Sequence, residues 1–92
     1  MEDNLRSECR EKCARIFSNT IKNPEEWFAD NMLEVTTKGN KVTVLTGFGG
    51  PTEWWTFNTT TKKGRYYFHH GYVQCFKNFG RKTYEKLMAF VC

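Results

Sequence analysis

Apolar side chains in the N-terminal segment recur at the spacing of one helical face. The stripe consists of Leu5, Cys9, Cys13, Ile16, Phe17 and Ile21. Charged side chains occupy the opposite face, which is typical of an amphipathic helix packed on a core. The pattern predicts a helix that begins near Asp3 or Asn4 and ends near Asn19. Because both cysteines lie within the stripe, we expect buried thiols there.

A second, short helix is predicted to begin at Asn23. Asparagine can cap a helix, Pro24 suits the first helical position, and the two glutamates that follow favour the positive end of the helix dipole. We expect this helix to reach about Asp30 and to offer Trp27 and Phe28 to the core.

Beyond the second helix the period of the apolar positions changes to two, which indicates β-strands. Turn-forming residues separate the alternating stretches. The predicted strands cover residues 33–36, 42–46, 53–58, 65–69 and 72–76. A last helix is predicted over residues 81–92. Its apolar face consists of Tyr84, Leu87, Met88 and Val91.

This order of elements predicts an α+β fold. We expect an antiparallel sheet of four to five strands over about residues 32–77, packed against the N-terminal helix, the short second helix and the C-terminal helix. The chain has 92 residues, of which 39% are hydrophobic and 26% charged. Residues 1–92 are therefore expected to form a single domain, not a multidomain enzyme or a disordered chain. No apolar run is long enough to cross a bilayer, so we expect no membrane partner.

The formal net charge of +4 is distributed unevenly along the chain. Residues 47–92 hold most of the aromatic side chains and only two carboxylates, those of Glu53 and Glu85. This composition is typical of a surface that binds phosphates and stacks on bases. Two other interpretations stay open. The aromatic residues can fill the strands while the charges solvate them, or the basic surface can bind an acidic protein.

The densest mixture of basic and aromatic residues predicts the binding surface. Because strand side chains alternate between two faces, Arg65, Tyr67 and His69 share one face. We expect Tyr66 and Phe68 to face the core, since an exposed Phe68 serves no purpose, and the other face to point outward beside the hairpin tip. The predicted binding residues of this stretch are Lys62, Lys63, Arg65, Tyr67 and His69.

A second basic cluster lies near the predicted start of the last helix. It consists of Lys77, Arg81 and Lys82. Positive charge at a helix N-terminus opposes the helix dipole. The cluster therefore predicts the capture of an anion or a phosphate, with a plain solvated turn as the alternative.

Catalysis and metal binding are not expected. The cysteines and histidines lack the tight ligand pairs of zinc sites, and the adjacent His69 and His70 point to opposite faces of a strand. The Gly-rich segment 47–51 lacks the phosphate-binding loop pattern and is expected to be a mobile connection. We therefore expect no enzymatic activity, no metal and no cofactor.

The four cysteines leave the redox state open. They are Cys9, Cys13, Cys75 and Cys92. Reduced thiols fit a cytoplasmic protein, and the lack of a secretory signal favours that location. Oxidation of all four would allow three pairings. Together with the glycosylation acceptor at Asn58, oxidation would indicate the alternative, a secreted disulfide-stabilised domain that binds a ligand or a receptor.

The chain resembles small phage-encoded inhibitors of host defence systems, including anti-CRISPR proteins. The likeness rests on the Met1-Glu2-Asp3-Asn4 start, an α+β domain of this size, and the lack of a targeting segment or a catalytic motif. It transfers no functional residue. Many members are acidic mimics of nucleic acid, whereas this chain is basic, which argues against mimicry. The resemblance implies stoichiometric binding to an RNA-guided surveillance complex in the host cell cytoplasm.

These observations together predict a non-catalytic inhibitor that acts by occlusion. We expect it to dock on a protein or ribonucleoprotein complex through its basic, aromatic surface. Contacts with RNA or DNA phosphates would then block nucleic-acid binding. The sequence leaves the identity of the partner and the oligomeric state open.

Overall fold

The computed structural model describes residues 2–46 and 53–91. The helices are α1 (Glu2–Lys22), α2 (Pro24–Asn31) and α3 (Arg81–Val91). The strands are β1 (Met32–Lys38), β2 (Lys41–Thr46), β3 (Glu53–Asn58), β4 (Lys63–His70) and β5 (Val73–Phe79). The strands form one antiparallel sheet in chain order, which confirms the predicted α+β fold. The Gly-rich segment 47–51 and Cys92 lie outside the described residues.

Helix α1 continues beyond the predicted end at Asn19 and stops at Lys22. The buried Thr20 hydroxyl donates to the carbonyl oxygen of Ile16 at 2.7 Å, so this polar side chain is accommodated within the last turns. The backbone N–H of Asn23 still donates to the Asn19 carbonyl oxygen at 3.2 Å. The proline that follows then closes the helix, because it cannot supply the next backbone donor.

Strands β4 and β5 are longer than their alternating patterns predict. The alternating pattern places Gly64 in the turn before the fourth strand, but the residue lies within β4. A Cβ atom at this position would lie 2.3 Å from the Thr56 carbonyl oxygen and 2.4 Å from the ring of Phe79. The glycine is therefore a packing requirement, because the Phe79 ring at the end of β5 occupies the space of a side chain.

All three helices pack on one side of the sheet, which we call the inner face. Phe17 of α1 stacks on Trp55 with 5.9 Å between ring centroids. Phe28 of α2 meets the same indole edge-on at 5.7 Å. Tyr84 of α3 contacts Phe57 at 6.0 Å. Trp55 is fully buried and is thus the core tryptophan of the adjacent pair.

The predicted burial of the α1 thiols is confirmed, since Cys9 and Cys13 are both buried. Tyr66 and Phe68 also lie in the core, as the alternation along β4 predicted. No helix within the described residues is long and apolar enough to span a membrane.

A carboxyl group lies inside this core. Glu53 accepts hydrogen bonds from the Thr46 hydroxyl at 2.9 Å and from the Tyr66 hydroxyl. The indole N–H of Trp55 donates to the Thr46 oxygen at 3.2 Å. Burial raises the pKa of Glu53 although these donors act in the opposite direction. Burial and the neighbouring carboxyl raise the pKa of Tyr66 as well.

Candidate functional site

The side of the sheet opposite the helices is the outer face. It consists of alternate residues of the five strands, from Glu34 on β1 to Asn78 on β5. None of the outer-face residues that the structure describes is fully buried. On the inner face, by contrast, the alternate residues of β2 and β3 are all buried. The outer face is therefore the available surface of this sheet.

An aromatic row crosses the outer face. The antiparallel register pairs Trp54 with Tyr67 and Tyr67 with Phe76, so the three rings stand side by side on β3, β4 and β5. The Trp54 and Tyr67 rings are stacked with 5.0 Å between centroids and 9° between planes. His69 meets Trp54 edge-on at 5.6 Å. Phe76 is 54% exposed, so the row ends in an accessible ring.

Arg65 is held over this row. Its guanidinium carbon lies 4.4 Å from the ring centroid of Phe76 and 5.9 Å from that of Tyr67. The Nε–H donates to Asn78 Oδ1 at 2.7 Å. The ion pairs found among residues 2–46 and 53–91 do not include Arg65. A positive charge is thus fixed against the aromatic row and keeps its attraction for an external anion.

The charges of the outer face are mostly positive. Its cations are Lys38, Lys41, Lys63 and Arg65, and its carboxylate is that of Glu34. Lys38, Lys41 and Lys63 lie at one end of the sheet, where β1 ends and where β2 and β4 begin. We call this the basic end. Aromatic rings and cations thus lie on one surface that none of the described helices covers.

The structure brings together only part of the predicted binding set. Lys63, Arg65, Tyr67 and His69 lie on the outer face as expected. Lys62 lies in the β3–β4 turn with φ 59°. Its ammonium nitrogen is 5.5 Å from the ring centroid of the buried Tyr84, so it leans toward the helical side.

The second predicted cluster is divided. Lys77 lies on β5 at an inner-face position and lines a cleft beside α1, away from the start of α3. Arg81 and Lys82 begin α3 and are both exposed. The Arg81 Nε–H is 3.0 Å from Glu85 Oε1, one helical turn along. This ion pair weakens the attraction of Arg81 for an external phosphate.

Sequence reasoning missed Trp54, Phe76 and Asn78 as partners of Tyr67 and Arg65. Each lies on a strand next to β4, and the hydrogen-bond register decides which side chains become neighbours. The signal that was available is the alternation within β5, which puts Phe76 and Asn78 on the face opposite Val73.

The adjacent histidines diverge as predicted. His69 belongs to the outer face, whereas the His70 Nε2 atom lies 3.1 Å from Glu8 Oε2 on α1. Within the described part of the chain, no group of three His, Cys, Asp or Glu side chains is arranged to hold a metal ion. The outer face instead combines aromatic rings with one held cation, Arg65, and exposed lysines. Aromatic rings stack on bases, and cations bind phosphates.

No protein-family model, curated protein or solved structure matches this chain.

Proposed function

We propose that the protein is a non-catalytic binding protein that covers single-stranded nucleic acid with the outer face of its sheet. The observation that supports this most is the in-register row of Trp54, Tyr67 and Phe76 on an uncovered face with mostly positive charge. Stacking of a base on such a ring contributes about 1–3 kcal/mol. Neutralised phosphates add a term that weakens with salt.

The geometry favours an unpaired strand over a duplex. Adjacent strands are about 4.8 Å apart, so the row from Trp54 to Phe76 spans about 10 Å. That distance suits two or three splayed bases, as on other sheets that stack RNA bases on aromatic side chains. The bases of a duplex are already stacked on one another and cannot reach these rings.

The basic end provides cations that can bind the phosphates of the nucleic-acid strand next to the aromatic row. Lys63 lies on the same strand and the same face as Arg65 and Tyr67. Phosphates can therefore follow β4 from the aromatic row to Lys63 at the basic end, from which Lys41 lies two strands across. A footprint of this size gives modest affinity for free nucleic acid. We propose that the physiological target is a strand exposed in a nucleoprotein complex, such as an RNA-guided surveillance complex, and that the protein inhibits by covering it.

The test is a titration of short fluorescent single-stranded RNA, single-stranded DNA and duplex DNA at low and high salt, followed by anisotropy. We expect both single strands to bind more tightly than the duplex, with affinity that falls as salt rises. Absence of binding to every probe at low salt, or equal binding to the duplex, would overturn the proposal.

A matched pair of exposed aromatic residues tests the surface itself. Phe76 is 54% exposed on the outer face and Tyr72 is 74% exposed in the β4–β5 turn. Phe76→Ala should weaken single-strand binding about tenfold, whereas Tyr72→Ala should leave it unchanged. Equal effects of the two substitutions would contradict an interface on the outer face.

A further inference from the structure

Three thiols meet where α1 packs on the edge of the sheet. Cys9 and Cys13 lie one helical turn apart on α1, and Cys75 lies on β5. The Cys9 sulfur is 3.8 Å from the Phe68 carbonyl oxygen and 3.7 Å from that of Val73. Phe68 is the cross-strand partner of Cys75, and Val73 lies two residues before Cys75 on β5. The Cys9 thiol therefore lies beside the Cys75 position.

The cluster opens to solvent through a cleft of about 320 Å³ between α1 and β5. Its lining consists of Arg10, Cys13, Ala14, Cys75, Phe76 and Lys77. Arg10 and Lys77 are both exposed, one on each wall of the cleft. Cys75 is half-buried, whereas Cys9 and Cys13 are buried. Cys75 is therefore the thiol that a small molecule in the cleft can reach first.

The three thiols differ in reactivity. Burial raises the pKa of Cys9 to about 12 and that of Cys13 to about 11, so both are protonated at neutral pH. Thiolates are the attacking species in exchange reactions. Because Cys75 is the thiol accessible from the cleft, attack from Cys75 comes first, and a buried thiol closes the reaction in a slower step.

We propose that this cleft is a thiol–disulfide exchange site for a small anionic disulfide of the glutathione type, and that the reaction ends in a Cys9–Cys75 disulfide. The cationic walls at Arg10 and Lys77 match the carboxylates of such a molecule. The position of the Cys9 sulfur against the Phe68 and Val73 carbonyl oxygens, beside Cys75, selects Cys9 over Cys13 as the closing thiol. The product ties α1 covalently to β5.

The reaction has two balanced steps. The Cys75 thiol gives up its proton and attacks one sulfur of oxidised glutathione, whose S–S bond breaks to release one glutathione thiolate, which takes up a proton. The Cys9 thiol then gives up its proton, attacks the Cys75 sulfur of the mixed disulfide and expels the second glutathione. Two protein thiols are oxidised, and one glutathione disulfide is reduced to two thiols.

Peptide mapping of the unmodified sequence tests the pairing without any variant. Trypsin separates the four cysteines, because Cys9 falls in residues 7–10, Cys13 in 13–15, Cys75 in 66–77 and Cys92 in 87–92. After incubation of the folded protein with oxidised glutathione and acid quenching, we expect an intact mass lower by two hydrogens. Peptide 7–10 should be linked to peptide 66–77.

A link from peptide 66–77 to peptide 13–15 or 87–92 would overturn the pairing. So would a glutathione adduct that persists at Cys75, or the absence of any reaction. Because the closing thiol is buried, raising the pH from 7 to 9 should shorten the lifetime of the mixed disulfide.

Charge substitutions test the anionic character of the ligand. Arg10→Glu should slow the reaction with oxidised glutathione and accelerate the reaction with the cationic disulfide cystamine. Arg15→Glu, an exposed change elsewhere on α1, is the matched control and should leave both rates unchanged. If Arg10→Glu and Arg15→Glu have the same effect, the cleft does not recognise an anionic disulfide.

Discussion

The two faces of the sheet use the same residue types for opposite purposes. Trp54 and Trp55 are adjacent on β3, and Tyr66 and Tyr67 are adjacent on β4, yet one member of each pair is fully buried and the other half-buried. Trp55 is enclosed by rings from α1 and α2, while Trp54 contacts only other outer-face rings among its described ring contacts. The helical cover, not aromatic content, separates core from surface.

The faces also differ in how they treat charge. The inner face encloses Glu53 and satisfies it with the hydroxyls of Thr46 and Tyr66. The outer face holds Arg65 with one amide oxygen and two rings, in contact with solvent. A buried carboxyl group needs hydrogen-bond partners within the fold, whereas a surface charge can bind an external partner. Comparing a substitution on the inner face with one at a neighbouring outer-face residue can therefore separate effects on stability from effects on binding.

The largest contrast is expected at the two tryptophans. Trp55→Ala should lower the free energy of unfolding by about 3–5 kcal/mol, because it leaves a large cavity under α1 and α2. Trp54→Ala should cost about 1 kcal/mol, the order of one aromatic pair. Urea unfolding followed by circular dichroism measures both, and equal losses would show that the outer face is also structural.

The tight packing of the inner face around Gly64 predicts the second-largest loss of stability. Gly64→Ala should destabilise the protein by about 1–3 kcal/mol, because the new methyl group meets backbone and the Phe79 ring. Gly80→Ala is the steric control, since nothing lies within 4 Å of a Cβ atom there; it should cost only about 0.5 kcal/mol, from alanine at the N-cap of α3. Thermal unfolding of both variants measures the difference, and a neutral Gly64→Ala would mean that Phe79 can move away.

The buried carboxyl predicts a pH dependence of stability. The pKa of Glu53 is raised in the folded state above its ordinary value of 4.5. The stabilisation that the protonated Glu53 contributes to the fold is therefore complete below pH 4.5 and is lost as the pH rises through the folded-state pKa. Each unit of the shift corresponds to about 1.4 kcal/mol. Glu53→Gln should flatten the dependence of the unfolding free energy on pH above 4.5.

The exposed substitution Glu34→Gln on the outer face is the matched control for Glu53→Gln. Glu34→Gln should leave the pH dependence of the unfolding free energy the same as in the wild-type protein. If Glu53→Gln retains the wild-type dependence of the unfolding free energy on pH, a titratable group other than Glu53 causes that dependence.

The smallest contrast concerns two predicted phosphate contacts. Lys63→Ala should weaken single-strand binding and reduce the salt slope by about one, because Lys63 lies on the outer face. Arg81→Ala should change binding less, since Arg81 is engaged with Glu85. Salt titrations of both variants compare the outer face with the start of α3, and a larger effect at Arg81 would favour the helix N-terminus instead.

The order of elements and the burial of Tyr66 and Phe68 could be predicted, because period and alternation are properties of a single segment. Register is a property of two segments, so the row through Trp54 and Phe76 could not be predicted. The two adjacent tryptophans are equally apolar, which left the buried one undecided. The alternating pattern ends β5 at residue 76 and so assigns Lys77 to the start of α3, whereas β5 extends to Phe79. The true place of Lys77 follows from the alternation within β5.

The chain-order sheet has a consequence for how the protein is made. Each strand pairs with its neighbour in the sequence, so the hairpins can form locally and quickly. Helix α1 precedes them all, yet its Cys9 rests on Phe68 and Val73, which are 59 and 64 residues later in the chain. During synthesis α1 is thus made before the strands on which it docks. Its apolar, thiol-bearing stripe stays uncovered until β5 has left the ribosome.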